Sequence, residues 1–247
     1  IGMIDPTSGI ALLDGRLPDE PPQVIAAHVD RDLFSTAFHG QALPTPFRNL
    51  MRQPGQALLD PMCGSGTFLL EAAMLALDIA PGSGRHFGFE KLKNFDNTVW
   101  KNLRSAVLAR AKPVTFQKIY GSDADLRAVR VSRENLKQAG LMDAVQLSHV
   151  DMTEVPAPAE NGVMIANPPY GVRIGEDETL AALYPKMGEA LKRRFAGWNA
   201  YFLTSDMRLP KLMRLAPSKR TPLFNGPLEC RLFEIKIVTG SNRREKS

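Results

Sequence analysis

The chain has 247 residues, of which 44% are hydrophobic and 23% are charged, the composition of an ordinary globular protein. This length suffices for one large α/β domain or two small ones, and no apolar run approaches the roughly 20 residues that span a membrane. The net charge of +5 is compatible with a polyanionic partner but does not require one.

The chain divides into three parts. Residues 1–53 are punctuated by Pro, Gly and Asp and show little periodicity, so we predict an extension or linker that packs on the core. Residues 54–240 alternate strand and helix patterns and predict one α/β domain. Residues 241–247 form a polar, basic tail.

The first half of the predicted domain begins with the strand "ALLD", followed by a glycine-containing loop and a helix from 67 to about 79. Next come a helix in "NTVWKNLRSAVLARA" and a strand in "FQKIYGSD". The segment "DLRAVRVSRENLKQAG" predicts a third helix, because Val129, Ser132, Leu136 and Ala139 recur at helical spacing and Gly140 is suited to end it.

The second half is predicted to contain strands in "AVQLSHVD", "GVMIAN" and "AYFLTSD", and a helix in "ETLAALYPKMGEALKRRFAG" that Pro185 kinks or breaks. An Asn-Gly turn at 225–226 predicts a final hairpin. Five strands that alternate with helices predict a parallel, doubly wound sheet. With the hairpin, we expect a Rossmann-like, seven-stranded, mostly parallel sheet with an antiparallel C-terminal hairpin and helices on both faces.

Two cysteines, Cys63 and Cys230, lie far apart and belong to no CxxC or Cys/His pattern. This spacing argues against a zinc site and against a disulfide framework, so no metal site is predicted. Free thiols are typical of a reducing compartment, and we therefore expect a cytoplasmic protein.

The loop after the first strand, "DPMCGSGT", lies where parallel sheets bind ligands. Gly64 and Gly66 allow a ligand to approach the backbone, and the following helix offers free amides. A dinucleotide fingerprint would have glycine in place of Leu69, and a P-loop would contain a lysine. The loop therefore predicts a ligand held without a pyrophosphate, with Asp60 near a cationic or hydroxyl-bearing group; the alternative is a plain turn.

Polar residues also follow the next three strands. Asp123 is placed to accept both hydroxyls of a ribose, although a helix cap is an alternative that suits Asp125 as well. Asp151 can accept from an adenine amino group, or it can stabilise a turn. Asn167 opens "NPPYG", in which two prolines fix φ and remove backbone donors, so a stiff turn is the alternative to a site.

Four successive predicted strands are each followed by a polar residue: Asp60 with its glycine loop, Asp123, Asp151 and Asn167. In this arrangement, the sequence from about 56 to 238 resembles class I S-adenosylmethionine-dependent methyltransferases. The resemblance implies that the glycine loop holds the methionine part of the cofactor, Asp123 the ribose and Asp151 the adenine. The cofactor-binding residues it implies are Asp60, Pro61, Cys63, Gly64, Ser65, Gly66, Thr67, Asp123, Ala124, Asp151, Met152 and Asn167. Cys63 is interpreted as a small buried loop residue and not as a nucleophile.

In this family "NPPY" implies methylation of an exocyclic amino group on a planar substrate. The lone pair of such a nitrogen is delocalised into the ring, which makes it a poor nucleophile. The resemblance assigns catalysis to Asn167, Pro168, Pro169 and Tyr170. The Asn167 side-chain carbonyl and the Pro168 carbonyl would accept hydrogen bonds from the amino group and aim its lone pair at the sulfonium methyl. The rigid prolines would hold both acceptors in place. Tyr170 would stack on the base.

A narrower resemblance rests on "IAPGSGRHFGFEKLKNFDNTVW", "GSDADLRAVRVSRENLKQAG" and "IANPPYGVRIG". These segments resemble bacterial large-subunit ribosomal RNA guanine-N(2) methyltransferases that carry a THUMP domain, over about three quarters of the chain. The resemblance implies ribosomal RNA as partner. Among the basic residues suited to contact RNA phosphates, we favour Arg173, just past the motif, at the pocket rim. Family members carry an N-terminal RNA-binding domain for which 1–53 is too short, so we expect a catalytic fragment or an RNA-binding part supplied otherwise.

Three other functions stay open on the sequence. The same "NPPY" chemistry serves adenine in DNA or RNA, and it also serves a protein glutamine. A non-catalytic RNA-binding module would be expected to have lost Asp60, Gly64, Gly66, Asp123 or Asn167, all of which are present.

Overall fold

The computed structural model describes residues 3–4, 11–12, 55–80, 86–169, 176–225 and 228–238. Within the first 53 residues it shows one short antiparallel pair, Met3–Ile4 with Ala11–Leu12. The other predictions for 1–53, those for the tail 241–247, and the second residue of the Asn-Gly turn lie outside the described residues.

Seven strands form the main sheet. They are β1 (Ala57–Asp60), β2 (Ile119–Asp123), β3 (Val145–His149), β4 (Gly162–Ala166), β5 (Trp198–Thr204), β6 (Lys219–Asn225) and β7 (Leu228–Lys236). Their order across the sheet is β3-β2-β1-β4-β5-β7-β6. The first five strands in this order pair with one another in parallel. β7 is antiparallel to both of its neighbours, β5 and β6. The predicted mostly parallel sheet with an antiparallel C-terminal hairpin is confirmed.

The strand order places the crevice of the sheet at β1. From β1 the chain adds β2 and β3 on one side, and then crosses to add β4 and β5 on the other. This reversal is a topological switch point, where the connections after neighbouring strands diverge and leave room for a ligand. The loops after β1 and β4, which are adjacent strands, border that crevice.

Helices cover both faces of the sheet. They are α1 (Thr67–Ala76), α3 (Leu126–Gln138), α4 (Glu176–Arg194) and the short α5 (Leu209–Leu212). A further helix, α2 (Asn97–Leu108), buries none of its side chains. The helix α1 ends three residues before the predicted end, because Asp78 adopts a left-handed φ of 52°. The helix α4 continues through Pro185, so of the predicted kink or break the break is wrong, and the kink stays a prediction. The buried side chains of Tyr184 and Met187 hold both sides of that proline against the core.

Two hydrophobic clusters sandwich the sheet, since side chains alternate along each strand. Leu58, Val163 and Ile165 belong to the cluster that contains α1 and α3 side chains. Leu59 and Met164 belong to the cluster on the α4 side. β1 and β4 are buried on both faces, as expected for central parallel strands.

The segment 86–108, here called the aromatic insert, packs mainly on itself. Phe89 lies 4.8 Å from the Trp100 ring and 5.3 Å from Phe87, measured between centroids. None of the side chains of α2 is buried. In the described part of the chain, no helix is both long and apolar enough to cross a bilayer.

Candidate active site

The polar residues predicted at four strand ends lie along one edge of the sheet. Asp60 is the last residue of β1 and Asp123 the last of β2. Asn167 follows directly after β4, and Asp151 lies two residues beyond β3. Because these four strands are parallel and adjacent, their carboxyl ends place the four residues along the same edge of the sheet.

The glycine loop, residues 61–66, is anchored by backbone hydrogen bonds. Cys63 N–H donates to the Ser122 carbonyl at 3.0 Å, and Gly66 N–H donates to the Cys63 carbonyl at 2.8 Å. Both glycines adopt left-handed backbone conformations, with φ of 54° at Gly64 and 84° at Gly66. These conformations favour glycine, so the two residues are required by the path of the loop itself.

The two glycines differ in what surrounds them. A Cβ on Gly66 would lie 2.9 Å from Ser132 Oγ, so the missing side chain lets α3 approach the loop. A Cβ on Gly64 would meet no atom of the described residues within 4 Å. The Gly64 side of the loop is therefore bare backbone, as a site that cradles a ligand requires.

Asp60 is a buried carboxyl, with 1% of its surface exposed. Burial raises its pKa to about 8, although the hydrogen bond from Met62 N–H lowers it and the nearby Asp123 charge raises it further. No described Lys or Arg forms an ion pair with this carboxyl. A cationic ligand group beside it would favour the ionised form, so Asp60 fits the positively charged amino group of an amino-acid ligand.

Asp123 connects the loops after β1 and β2. Its Oδ2 accepts from Gly64 N–H at 2.9 Å, and its Oδ1 accepts from Asp125 N–H at 2.9 Å. Asp125 in turn caps α3 by accepting from Arg127 N–H, as predicted for this residue. Each carboxylate oxygen retains a further lone pair, so the ribose-binding role of Asp123 stays a prediction that the geometry permits.

Asp151 stabilises a turn in the structure. Its Oδ1 accepts from both the backbone N–H and the hydroxyl of Thr153, at 2.7 and 2.5 Å. Met152 is buried in the α4-side cluster, with 1% exposure. His149 lies against the carbonyl of the exposed Ala124, at 3.0 Å. The adenine-binding role of this region stays a prediction.

The NPP loop, residues 167–169, contains an unsatisfied acceptor. Asn167 Oδ1 is buried and has no hydrogen-bond partner among the described residues. Pro168 is buried and Pro169 is exposed. Leaving a buried acceptor without a donor costs about 1–3 kcal/mol, so such an atom is typical of a functional site. An amino group that donates to Asn167 Oδ1 would satisfy it.

The remaining catalytic predictions are only partly located. Tyr184 on α4, which is fully buried, donates its hydroxyl to the Pro169 carbonyl at 3.4 Å and so supports the NPP loop. Tyr170 and Arg173 lie outside the described residues.

Cys63 is a buried thiol. Burial, followed by the nearby Asp60 charge, raises its pKa to about 12, so it keeps its proton at neutral pH. Its Sγ lies 3.6 Å from Ser132 Oγ. These contacts agree with the interpretation of Cys63 as a structural loop residue, since a nucleophilic cysteine needs an accessible thiolate.

Sequence reasoning missed three residues that support the site: Ser132, Asn135 and Tyr184. Ser132 and Asn135 donate to carbonyls of the glycine loop. One signal was visible, because Ser132 is a polar residue at an apolar position of α3, between Val129 and Leu136. No comparable signal marked Tyr184, which is aromatic like many core residues.

Comparison with known proteins identifies the family. Residues 49–234 match the family model described as an RMKL-like methyltransferase domain. The chain belongs to this family. The predicted resemblance to S-adenosylmethionine-dependent methyltransferases is thereby confirmed.

One similar relative is the ribosomal RNA large subunit methyltransferase K/L of Shewanella baltica (strain OS155), 40% identical over 192 residues. The match covers 76% of this chain and 27% of the relative, so the chain spans about a quarter of the length of the curated relatives it matches.

Two solved structures resemble this domain. SMU.472, described as a methyltransferase and complexed with SAH, is 34% identical with a TM-score of 0.71, over 76% of this chain and 50% of that one. A predicted N6-adenine-specific DNA methylase from Listeria monocytogenes is 30% identical with a TM-score of 0.66, over 76% and 47%.

Proposed function

We propose that this chain is a catalytic domain that transfers a methyl group from S-adenosylmethionine to the exocyclic 2-amino group of a guanine in large-subunit ribosomal RNA. The observation that carries the proposal is Asn167 Oδ1, which is buried beside the crevice of a methyltransferase fold and has no hydrogen-bond partner among the described residues. The K/L relative, named as a ribosomal RNA methyltransferase, supports the RNA class. The choice of guanine N2 rests on the narrower sequence resemblance.

The cofactor side of the crevice is the glycine loop with its acidic neighbours. Bound S-adenosylmethionine supplies an electrophilic methyl group on a sulfonium. Asp60 would hold the amino group of its methionine part, and the bare backbone at Gly64 would accommodate that part closely. Asp123 would accept the ribose hydroxyls, and Asp151 would accept from the adenine amino group. The SAH complex of SMU.472 supports this class of ligand.

The substrate side is the NPP loop. Asn167 Oδ1 would accept from one proton of the base amino group, and the Pro168 carbonyl from the other. These two bonds favour a more tetrahedral nitrogen and hold its lone pair in line for displacement. The nitrogen–carbon bond forms as the carbon–sulfur bond breaks, and the nitrogen then loses a proton. Tyr184 contributes by holding the Pro169 carbonyl.

RNA contacts beyond the pocket would come from exposed cations and from a partner. The exposed basic residues that the structure describes include Lys91, Lys93, Arg193 and Lys219. Arg194 instead donates to the Thr153 carbonyl, and Arg220 lies over the Phe233 ring. We propose that an N-terminal RNA-binding domain of the THUMP type supplies most of the affinity for ribosomal RNA.

A second candidate is N6-methylation of adenine in DNA, which the name of the Listeria monocytogenes neighbour favours. The deciding experiment incubates the chain and labelled S-adenosylmethionine with naked large-subunit rRNA, with ribosomal precursors and with DNA. Digestion to nucleosides and mass spectrometry then identify the product. We expect N2-methylguanosine from RNA, whereas label in DNA alone contradicts the proposal. The Asn167→Ala variant serves as the inactive control.

A further inference from the structure

Two polar side chains of α3 face the glycine loop. Ser132 Oγ donates to the Gly64 carbonyl at 2.8 Å, and Asn135 Nδ2 donates to the Ser65 carbonyl at 2.9 Å. Residues three apart lie on one side of a helix, so one surface of α3 contacts two successive loop carbonyls. Ser132 is fully buried and Asn135 is half-buried, which shields both hydrogen bonds from water.

The hydrogen bond of the Ser132 hydroxyl also determines which atom is the donor in its contact with the Cys63 thiol. A hydroxyl has one proton, and here it is donated to the Gly64 carbonyl. Cys63 Sγ, 3.6 Å from Ser132 Oγ, must therefore be the donor in that contact. Because burial raises the pKa of Cys63 to about 12, the thiol retains the proton it donates. The glycine loop and α3 are thus joined by two consecutive hydrogen bonds, from the Cys63 thiol to the Ser132 hydroxyl and from that hydroxyl to the Gly64 carbonyl.

The direction of the Gly64 carbonyl determines the direction of the Ser65 N–H. Across a planar trans peptide, the C=O of one residue and the N–H of the next point opposite ways. None of the described peptide bonds is cis. Holding the Gly64 carbonyl against α3 therefore points the Ser65 N–H away from α3. No described group accepts from that N–H, and no described atom lies within 4 Å of the adjacent Cβ position of Gly64.

We propose that Ser132 and Asn135 are positioning residues of the cofactor site. Ser132 holds the peptide that carries Ser65 N–H, so that this N–H faces the carboxylate of the ligand's amino-acid part. Asn135 holds the next peptide, whose Gly66 N–H donates to the Cys63 carbonyl, and so fixes the other side of Ser65. This inference rests on the proposed function, since it takes the loop to bind the methionine part of the cofactor. It gives residues of α3 a role in cofactor binding, in addition to the residues that follow the strands. Gly66 is part of the same arrangement, because only a glycine there lets Ser132 come this close.

The test uses the full chain and two substitutions. Ser132→Ala removes the donor to the Gly64 carbonyl, and Asn135→Asp replaces the amide donor by an acceptor of the same shape. Arg133→Ala, on the exposed side of α3, is the matched control. We expect the Kd for S-adenosylhomocysteine, measured by calorimetry, to rise about threefold for Ser132→Ala and about tenfold for Asn135→Asp. KM for S-adenosylmethionine should rise in parallel, while kcat at saturation changes by less than about twofold.

A second readout needs no ligand. In amide spectra of the ligand-free protein, the Ser65 and Gly66 resonances should shift in both variants and stay in place in Arg133→Ala. Variants that melt at a lower temperature but bind S-adenosylhomocysteine like the wild type would show a merely structural role and overturn the inference. If the wild type itself does not bind, the proposed function fails together with this inference. If the wild type binds and the loop resonances do not move, only this inference is wrong.

Discussion

The loops after β1 and β4 follow neighbouring buried strands at the same edge of the sheet, yet they differ in whether their hydrogen-bond acceptors are paired within the protein. In the glycine loop, the carbonyls of Gly64 and Ser65 and the amides of Gly64 and Gly66 all have partners within the protein. In the NPP loop, the one side-chain acceptor, Asn167 Oδ1, is buried without any partner in the described part of the chain.

This difference separates two tasks. A loop that binds a ligand through its backbone needs a defined shape, and internal hydrogen bonds supply it. A loop that activates an amine needs an acceptor that the protein leaves unsatisfied, and two prolines supply rigidity without offering competing N–H donors. The free energy that the folded protein loses at Asn167 is recovered when an amino group donates to it.

The largest expected effect comes from removing the side-chain acceptor of the NPP loop. Asn167→Ala should lower kcat for methyl transfer by about a hundredfold or more, because one of two groups that orient the amine is lost. The Kd for S-adenosylhomocysteine should stay within about twofold if the division of tasks is correct. Asn161→Ala, at the opposite end of β4, is the control, and an equal loss of binding and transfer in Asn167→Ala would refute the division.

The shape of the glycine loop can be disturbed directly with Gly66→Ala. The added Cβ would lie 2.9 Å from Ser132 Oγ, in a backbone conformation with φ of 84°. We expect a loss of about 2–3 kcal/mol in the free energy of unfolding, as the sum of backbone strain and overpacking. Gly140→Ala, where φ is 68° and the Cβ direction is open, should lose only about 1 kcal/mol, the backbone part alone.

Urea unfolding of both glycine variants measures this difference. A Gly66→Ala protein as stable as Gly140→Ala would mean that α3 can move away from the loop at no cost, and that the contacts of Ser132 do not define the shape of the loop.

The carboxyl at the start of the glycine loop predicts a pH dependence. The pKa of Asp60 is about 8 in the folded protein against an ordinary value of 3.8, so the folded state binds more protons between these values. The stability of the ligand-free protein should therefore fall as pH rises from about 4 to about 8, and Asp60→Asn should flatten this dependence. Thermal melting at pH 5 and pH 8 measures it.

The same carboxyl should couple binding to protons. If a cationic group of the ligand meets ionised Asp60, S-adenosylhomocysteine binding at pH 7 releases a proton, and affinity rises toward pH 8. Calorimetry in buffers of different ionisation enthalpy measures the proton. An Asp60→Asn variant that releases the same proton would place the titrating group elsewhere.

The smallest expected effect concerns the support of the NPP loop. Tyr184→Phe keeps the buried ring and removes the hydroxyl that reaches the Pro169 carbonyl at 3.4 Å. This hydrogen bond is long, so we expect kcat to fall only about twofold to fivefold, with the Kd for S-adenosylhomocysteine unchanged. A loss as large as that of Asn167→Ala would instead mean that Tyr184 itself contacts the reacting base.

Much of this protein is determined by its sequence. Strand and helix periods predict the order of elements, because each segment must bury one face or both. The breaks at 61–66 and 167–169 predict the two functional loops, since glycines and prolines constrain the local backbone whatever surrounds them. The Asp125 cap and the end of α3 are local in the same sense.

Only the tertiary structure decided the rest. Ser132 and Gly64 are 68 residues apart, and nothing in either segment indicates that a hydroxyl of α3 meets that carbonyl. The insertion of β7 between β5 and β6, and the continuation of α4 through Pro185, likewise depend on how the elements pack. The absence of a described partner for Asn167 Oδ1 also becomes visible only once its neighbours are in place, because satisfaction of a buried acceptor is a property of its surroundings.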